Sequence, residues 1–272
     1  MKIKTLKVNT ADLYAPADFS LCELNNMQNS IIDLLPNRDE YIIGFADMEQ
    51  LLKKNYPFRY AVVVGVKLND EIIDGIEGAP TIEYLNLYHK TNNTLNELVL
   101  KISDFLNAHC IENQYILSTV EDSELDNEYW KTLRYKYSHK MAATRAGLGW
   151  IGKTDLLVSE RFGPRFRMAS ILTNYRFENL GKPITESKCG TCMICVEKCP
   201  AHAANGKSWN IGIDRDEFYN ASKCREMCRK RSFDYIHKEI SLCGICISVC
   251  PKGKTINTHN HRIKADATEP RR

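Results

Sequence analysis

Two hydrophobic periods run through the first two thirds of this chain. "YAVVVGVKL", Tyr60–Leu68, is an unbroken β-branched apolar run and predicts a buried strand. Leu95, Leu98, Ile102 and Phe105 recur at helical spacing, so an amphipathic helix is expected from Thr91 to about Ala108. "YILST", Tyr115–Thr119, reads as a second strand. Met141 to Arg145 reads as a helix end capped by Gly147. Leu156–Val158 and Phe166–Leu172 read as two further strands, with "FGPR" (162–165) as a turn beside them.

From about Lys182 this periodicity gives way to a different grammar. The chain has 11 cysteines, and nine of them lie between Cys189 and Cys250. In a mid-sized chain without a secretory signal, such crowding favours metal or cluster binding over disulfides. The start, "MKIKTLKVNTADLY", lacks the apolar stretch of a signal peptide, and no run approaches a membrane span, so a cytoplasmic protein is expected. A formal net charge of +3 is too near balance to make nucleic acid the obvious partner. The domains expected are an α/β (α+β) domain over 1–180, a cysteine-rich domain over 181–256 and a basic tail over 257–272. Beyond Pro251 the charge is net +4, the composition of a solvated chain end.

The cysteines follow a pattern. The first run is Cys189-x2-Cys192-x2-Cys195-x3-Cys199-Pro200, and the second is Cys243-x2-Cys246-x3-Cys250-Pro251. The first is the spacing of bacterial two-cluster ferredoxins, in which the fourth cysteine ligates the other cluster. Three closely spaced cysteines wrap one cubane, while the fourth begins the next element and faces away. Crossing assigns Cys189, Cys192, Cys195 and Cys250 to one [4Fe–4S] cluster. Cys243, Cys246 and Cys199 go to the other, whose fourth ligand is best taken as Cys224, with Cys228, one helical turn on, as its rival. Zinc is the competing reading; zinc ribbons also use C-x2-C pairs but rarely three in succession before C-P. Cys22 and Cys110 read as small buried hydrophobes.

"AGLGWIGKTDLLVSERFG", then "ILTN", "CGTCMICVEKCPAHA" and "CGICISVCP" resemble the epoxyqueuosine reductases, a cobalamin-dependent iron–sulfur family related to reductive dehalogenases. The resemblance implies a corrinoid-binding-type α/β domain followed by a two-cluster ferredoxin-like domain, with electrons passed one at a time from the clusters to cobalt. It implies corrinoid contacts in the segments holding Gly149, Gly152, Lys153, Thr154, Gly163, Arg165, Arg167 and Ser170, although packing and turn geometry explain glycines equally well. The position matching the family's proton-donating aspartate is Leu133, and no acidic residue lies between Lys131 and Arg145. Tyr135 and Tyr137, with His139 nearby, are the remaining titratable candidates. The chain stops about twenty residues past Cys250, where tRNA-acting members continue into a helical-repeat extension. The expectation is therefore an iron–sulfur oxidoreductase with an unknown small-molecule or protein substrate, an external low-potential electron donor, and tRNA disfavoured. The alternatives are an electron carrier that reduces a partner such as a corrinoid protein, or a corrinoid-binding protein without turnover.

Overall fold

A computed structural model describes residues 27–49, 57–120 and 122–254; Cys22 and the basic tail lie outside them. Its centre is a four-stranded sheet of order β1-β2-β6-β3, built from β1 (Tyr41–Asp47), β2 (Tyr60–Lys67), β3 (Asn113–Ile116) and β6 (Phe166–Thr173). Every pairing is antiparallel, with Val63 opposite Gly44 on one side and Ser170 on the other. The sheet part is therefore α+β.

β2 reads as continuously apolar because both of its faces are covered. Tyr60, Val62, Val64 and Val66 point into one core, where they meet Leu95, Leu98, Val99, Ile102 and Leu106 of α3 (Ile82–Ala108). Ala61 and Val63 point into a second core. There they meet Ala142 and Ala143 of α5 (His139–Arg145) and the residues around the short strands β4 (Trp150–Ile151) and β5 (Leu157–Val158). Alternation is lost when neither face meets water.

α3 begins nine residues before its expected start. Thr81 caps it, its hydroxyl accepting from the Tyr84 amide at 3.1 Å. The early turns carry Tyr84 and Leu85 away from the sheet and into a third core, with Leu68, Ile73 and Ile76 from around α2 (Asp70–Asp74) and with Ile236, Leu242 and Ile245. Their apolar residues serve a different partner, so they do not extend the sheet-facing stripe.

That third core joins the sheet part to the cysteine-rich part. Phe218 likewise sits in the second core. The boundary expected near residue 181 thus marks a change in composition and not a gap between cores. The cysteine-rich part has little regular structure: α6 (Ile194–Glu197), α7 (Ala221–Ile236) and α8 (Ile245–Ser248), with α6 packed on α8. A further small helix, α4 (Asn127–Thr132), precedes α5, and α1 (Met27–Asp33) covers the first core. Among the described residues no helix is long and apolar enough to cross a membrane.

Cys110 departs from expectation. It is exposed, at φ +56° just past the end of α3, where the chain reverses towards β3.

Candidate metal centre

Each cysteine run ends in one short helical turn, with a cysteine and a proline directly behind it. Gly244, at positive φ, caps the second turn directly, while Gly190, also at positive φ, sits in the loop four residues before the first. Cys199 follows α6 and Cys250 follows α8. Because α6 and α8 pack together, the two runs interlock. Cys250 lies among Cys195, Cys189 and Cys192. Cys246 lies with Cys243 and Cys224, and near Cys195 and Cys199. Cys224 and Cys228, one turn apart on α7, bring their sulfurs to 3.7 Å, and Cys228 also reaches Cys243.

Crowding dominates the chemistry of these thiols. Burial, added to the neighbouring thiolates Cys195, Cys189 and Cys192, pushes Cys250 up to about 11. Burial and Cys243 push Cys246 further in the same direction. The single Cys228 S–H, shared between them, pulls Cys224 down to about 6 and Cys243 to about 7. Thiols this close resist ionising together unless positive charge stands between them, and iron supplies it. Among the described residues no three His, Cys, Asp or Glu side chains form a single-ion site. A zinc ion draws its four thiolates to about 2.3 Å from one point, whereas a cubane spreads them over its corners.

The "GWIGKT" segment covers the first cysteine run. Fully buried Trp150 points its indole N–H at Cys189 Sγ, 3.4 Å away. The Thr154 hydroxyl donates to Cys195. Lys153, also buried, donates from Nζ to the Gly190 carbonyl at 3.0 Å and lies 3.3 Å from Met193 Sδ. Gly152 is close enough that a β-carbon there would rest 3.7 Å from Cys189 Sγ. On the other side, Asp155 sits beside Tyr219 and Cys224. Its left-handed backbone is held by Lys140, whose Nζ donates to the Asp155 carbonyl at 2.7 Å and the carboxylate at 2.5 Å.

The other residues expected to meet a corrinoid have internal partners. A β-carbon at Gly149 would collide with the Val158 carbonyl, and one at Gly163, whose φ is +55°, with the Lys252 carbonyl. Arg165 is 0% exposed and bonds Asp70 at 3.0 Å, Asp74 at 2.5 Å and the Ser248 carbonyl at 3.2 Å. It ties β6 to α2 and α8, so its guanidinium already has three partners inside the fold. Arg167 is half-buried, donating to Asn92, to the Ser118 carbonyl at 3.2 Å and to Thr119 at 3.1 Å, with its guanidinium 4.2 Å from the Tyr88 ring centroid. Ser170 is fully buried against His139.

Around the expected acid position, Leu133 closes α4 in a left-handed conformation, φ 51° and ψ 38°. Arg215 fixes its carbonyl at 2.8 Å and that of Thr132 at 2.6 Å. Arg134 pairs with Asp214 at 2.5 Å and Asp216 at 2.9 Å, so the cysteine-rich part holds this loop. Tyr137 is buried in the second core, edge-on to His139. Tyr135 is half-buried; burial, then Glu124 and Asp126, raise its phenol, which stays protonated. His139 Nε2 lies 3.0 Å from the Leu117 carbonyl, which can only accept, so the proton sits on Nε2 and Nδ1 accepts from Ser170 at 2.8 Å. Burial, with Arg167 nearby, pushes its pKa down to about 4, leaving it neutral.

A family described as a 4Fe-4S double cluster binding domain matches residues 188–253. Among curated proteins, the epoxyqueuosine reductase of Lactococcus garvieae is 35% identical over 126 residues, covering 44% of this chain and 33% of that protein. That of Synechocystis sp. is 32% identical over 113 residues, covering 41% and 38%. The chain is similar to the epoxyqueuosine reductases. Its match spans 33% of the length of the Lactococcus relative, about a third. The fold agrees with two solved structures. A catabolic reductive dehalogenase, NpRdhA, superposes with a TM-score of 0.59 at 15% identity, covering 88% of this chain and 38% of that one. A selenomethionine-labelled epoxyqueuosine reductase superposes with a TM-score of 0.54 at 17% identity, covering 85% and 66%. At these identities the epoxyqueuosine reductase likeness of the structures is one of fold.

Sequence reasoning missed Trp150, Tyr219, Lys140 and Asp155. A tryptophan amid glycines was the one available signal. Tyr219 carries none, since its approach to Cys224 depends on the fold of the loop before α7.

Proposed function

We propose that this chain is an iron–sulfur oxidoreductase of the epoxyqueuosine reductase type. One [4Fe–4S] cluster takes Cys189, Cys192, Cys195 and Cys250, and the other takes Cys199, Cys224, Cys243 and Cys246. The observation that carries the reading is the crossing: Cys250 stands among the cysteines of the first run, although 51 positions of sequence separate it from Cys199. The domain limits 1–180 and 181–256 follow as functional segments that share a core.

We place the acceptor of these electrons as a corrinoid. One solved relative is described as suggesting a mechanism for B12-dependent dehalogenation. The fit is partial. Gly149, Gly163, Arg165 and Ser170 are spent on packing, and buried Lys153 and Thr154 already serve the Gly190 carbonyl and Cys195, which leaves half-buried Arg167 as the most accessible polar group for such a ligand. A bound corrinoid supplies a strongly reducing metal centre. The chain itself supplies thiolates to gather the clusters, sulfur-directed hydrogen bonds to set their poise, and Tyr135 as a protonated group near the loop at Leu133.

For the substrate, two observations pull apart. Leu133 replaces the expected carboxylate, which disfavours epoxyqueuosine in tRNA. The relatives' names favour it, and one solved relative holds an epoxyqueuosine-modified tRNA stem loop. The comparisons lend no support to a non-tRNA substrate. The test is anaerobic reconstitution, with iron analysis and EPR of added cob(II)alamin, then nucleoside mass spectrometry after incubation with the modified stem loop and a strong reductant. Eight irons per chain and a base-off cobalt signal support the reading. Stoichiometric zinc, or an unchanged base-on signal, defeats the cluster or the corrinoid part respectively. Conversion to queuosine establishes the tRNA substrate.

A further inference from the structure

The cysteine-rich part has nine cysteines, and two four-iron clusters use eight. We propose that Cys228 is the ninth: a positioned hydrogen-bond donor that raises the potential of the second cluster without binding iron. This rests on the two-cluster reading above.

Contact geometry separates Cys228 from Cys224. Thiolates on different irons of one cubane stand apart across the cluster; they do not touch. Cys228 lies within hydrogen-bond reach of two sulfurs, that of Cys224 at 3.7 Å and that of Cys243. Cys243 belongs to the C-x2-C-x3-C-P run and is a ligand by its place in that motif. A thiol that close to both cannot hold a corner of its own. If Cys228 were the ligand, it would have to leave Cys243; with Cys224 as ligand, no contact has to break. Cys224 and Cys228 are four residues apart on the same face of α7, about 6 Å along its axis, so the helix aims both at the same place.

Either sulfur of the 3.7 Å Cys224–Cys228 pair can donate as a free thiol, but with Cys224 bound to iron as a thiolate only Cys228 keeps a proton, so Cys224 Sγ then accepts from it and from the Tyr219 hydroxyl. A thiol is a weak donor, but it is one. Hydrogen bonds to ligand sulfurs favour the more negative, reduced cluster and so raise its potential. The first cysteine run has its own donors in Trp150 and Thr154, so each run is hydrogen-bonded at sulfur by side chains beyond its ligands.

The experiment is iron analysis and EPR-monitored redox titration of the reconstituted full chain, as wild type, Cys228→Ala, Cys228→Ser and Tyr219→Phe. All four should hold eight irons. Cys228→Ala should move one cluster's midpoint to lower potential, Cys228→Ser should recover part of the shift because a hydroxyl still donates, and Tyr219→Phe should lower the same midpoint. A merely structural role would not give this graded pattern at constant iron content. Loss of four irons in Cys228→Ala would make Cys228 a ligand and overturn the proposal, as would an unchanged midpoint. If wild type takes up no clusters, the two-cluster reading itself fails, which is a different outcome from either.

Discussion

Replacing Arg165 by methionine tests whether this arginine is a clamp or a ligand contact. Its guanidinium is fully buried and holds Asp70, Asp74 and the Ser248 carbonyl, two residues before Cys250. Removing one side of a buried ion pair costs about 3–5 kcal/mol, because the other charge is left behind. Two features reduce that here. Asp74 is 52% exposed and rehydrates, so its pair is worth about 0–1 kcal/mol. Asp70 keeps Lys67 at 2.7 Å. Methionine fills most of the space, leaving a net loss of about 2–3 kcal/mol. At about 2–4 °C per kcal/mol for a chain of this size, the anaerobic melt should fall by roughly 5–10 °C.

The pH dependence gives a second reading of the same pair. Burial alone would raise the Asp70 carboxyl, but hydrogen bonds from Lys67 and Arg165 outweigh it and hold the group below its ordinary value. A depressed pKa contributes stability above the unfolded value, about 3.9, and that contribution disappears as pH falls through the folded one. The gap between wild type and Arg165→Met should therefore hold from pH 7 to 5 and close below about pH 4. Adding Asp70→Asn and Asp74→Asn to Arg165→Met should restore most of the melt, since neither carboxylate is then stranded and the ammonium groups they leave, on Lys67 and Lys254, are 30% and 44% exposed and rehydrate. A fall of under about 1 °C, or no rescue by the double asparagine background, would refute the clamp. If cob(II)alamin binding by the folded variant weakens tenfold or more, the contact role returns.

Two further outcomes follow from the crossed arrangement. Cys250→Ser should lose the cluster of the first run and Cys199→Ser that of the second, each leaving about four irons; the opposite pairing in EPR would show uncrossed ligation. Trp150→Phe should keep eight irons and lower one cluster's midpoint, since only the N–H to Cys189 is lost; an unchanged titration would remove Trp150 from the site.

The two cysteine runs were legible because ligand spacing is a local property. β2 and β6 were legible for the same reason. What the sequence concealed were the consequences of long-range partnership. The continuous run at Tyr60 is as consistent with a parallel strand as with an antiparallel one covered on both faces, and only its pairing with β1 and β6 decides. The start of α3 was hidden because Tyr84 and Leu85 answer to Ile245, about 160 positions away. The family resemblance implied ligand contacts at Arg165 and Ser170, and nothing local announces the internal groups they also hold. Their partners Asp74 and His139 lie in other elements, with nothing in the intervening sequence to announce them.

The third core leads to one more prediction, about iron removal. α6 and α8 are four residues each, too short to hold a helical turn unaided. If clusters fix Cys199 and Cys250 at their ends, chelation releases both turns. Ile245 is in α8, and it packs with Leu68, Ile73, Tyr84 and Leu85 in a core shared with the sheet part. Loss of iron should therefore spread along that core. Hydrogen exchange of anaerobically chelated protein should rise tenfold or more at residues 240–250 and also at 68–88, while β2 and β6 remain protected by the first two cores. The alternative is a sheet part insulated from its clusters, which would show faster exchange only beyond residue 181. Protection retained at 68–88 after complete iron loss would establish that alternative. The shared core would then be a contact surface that the sheet part does not need for its own order.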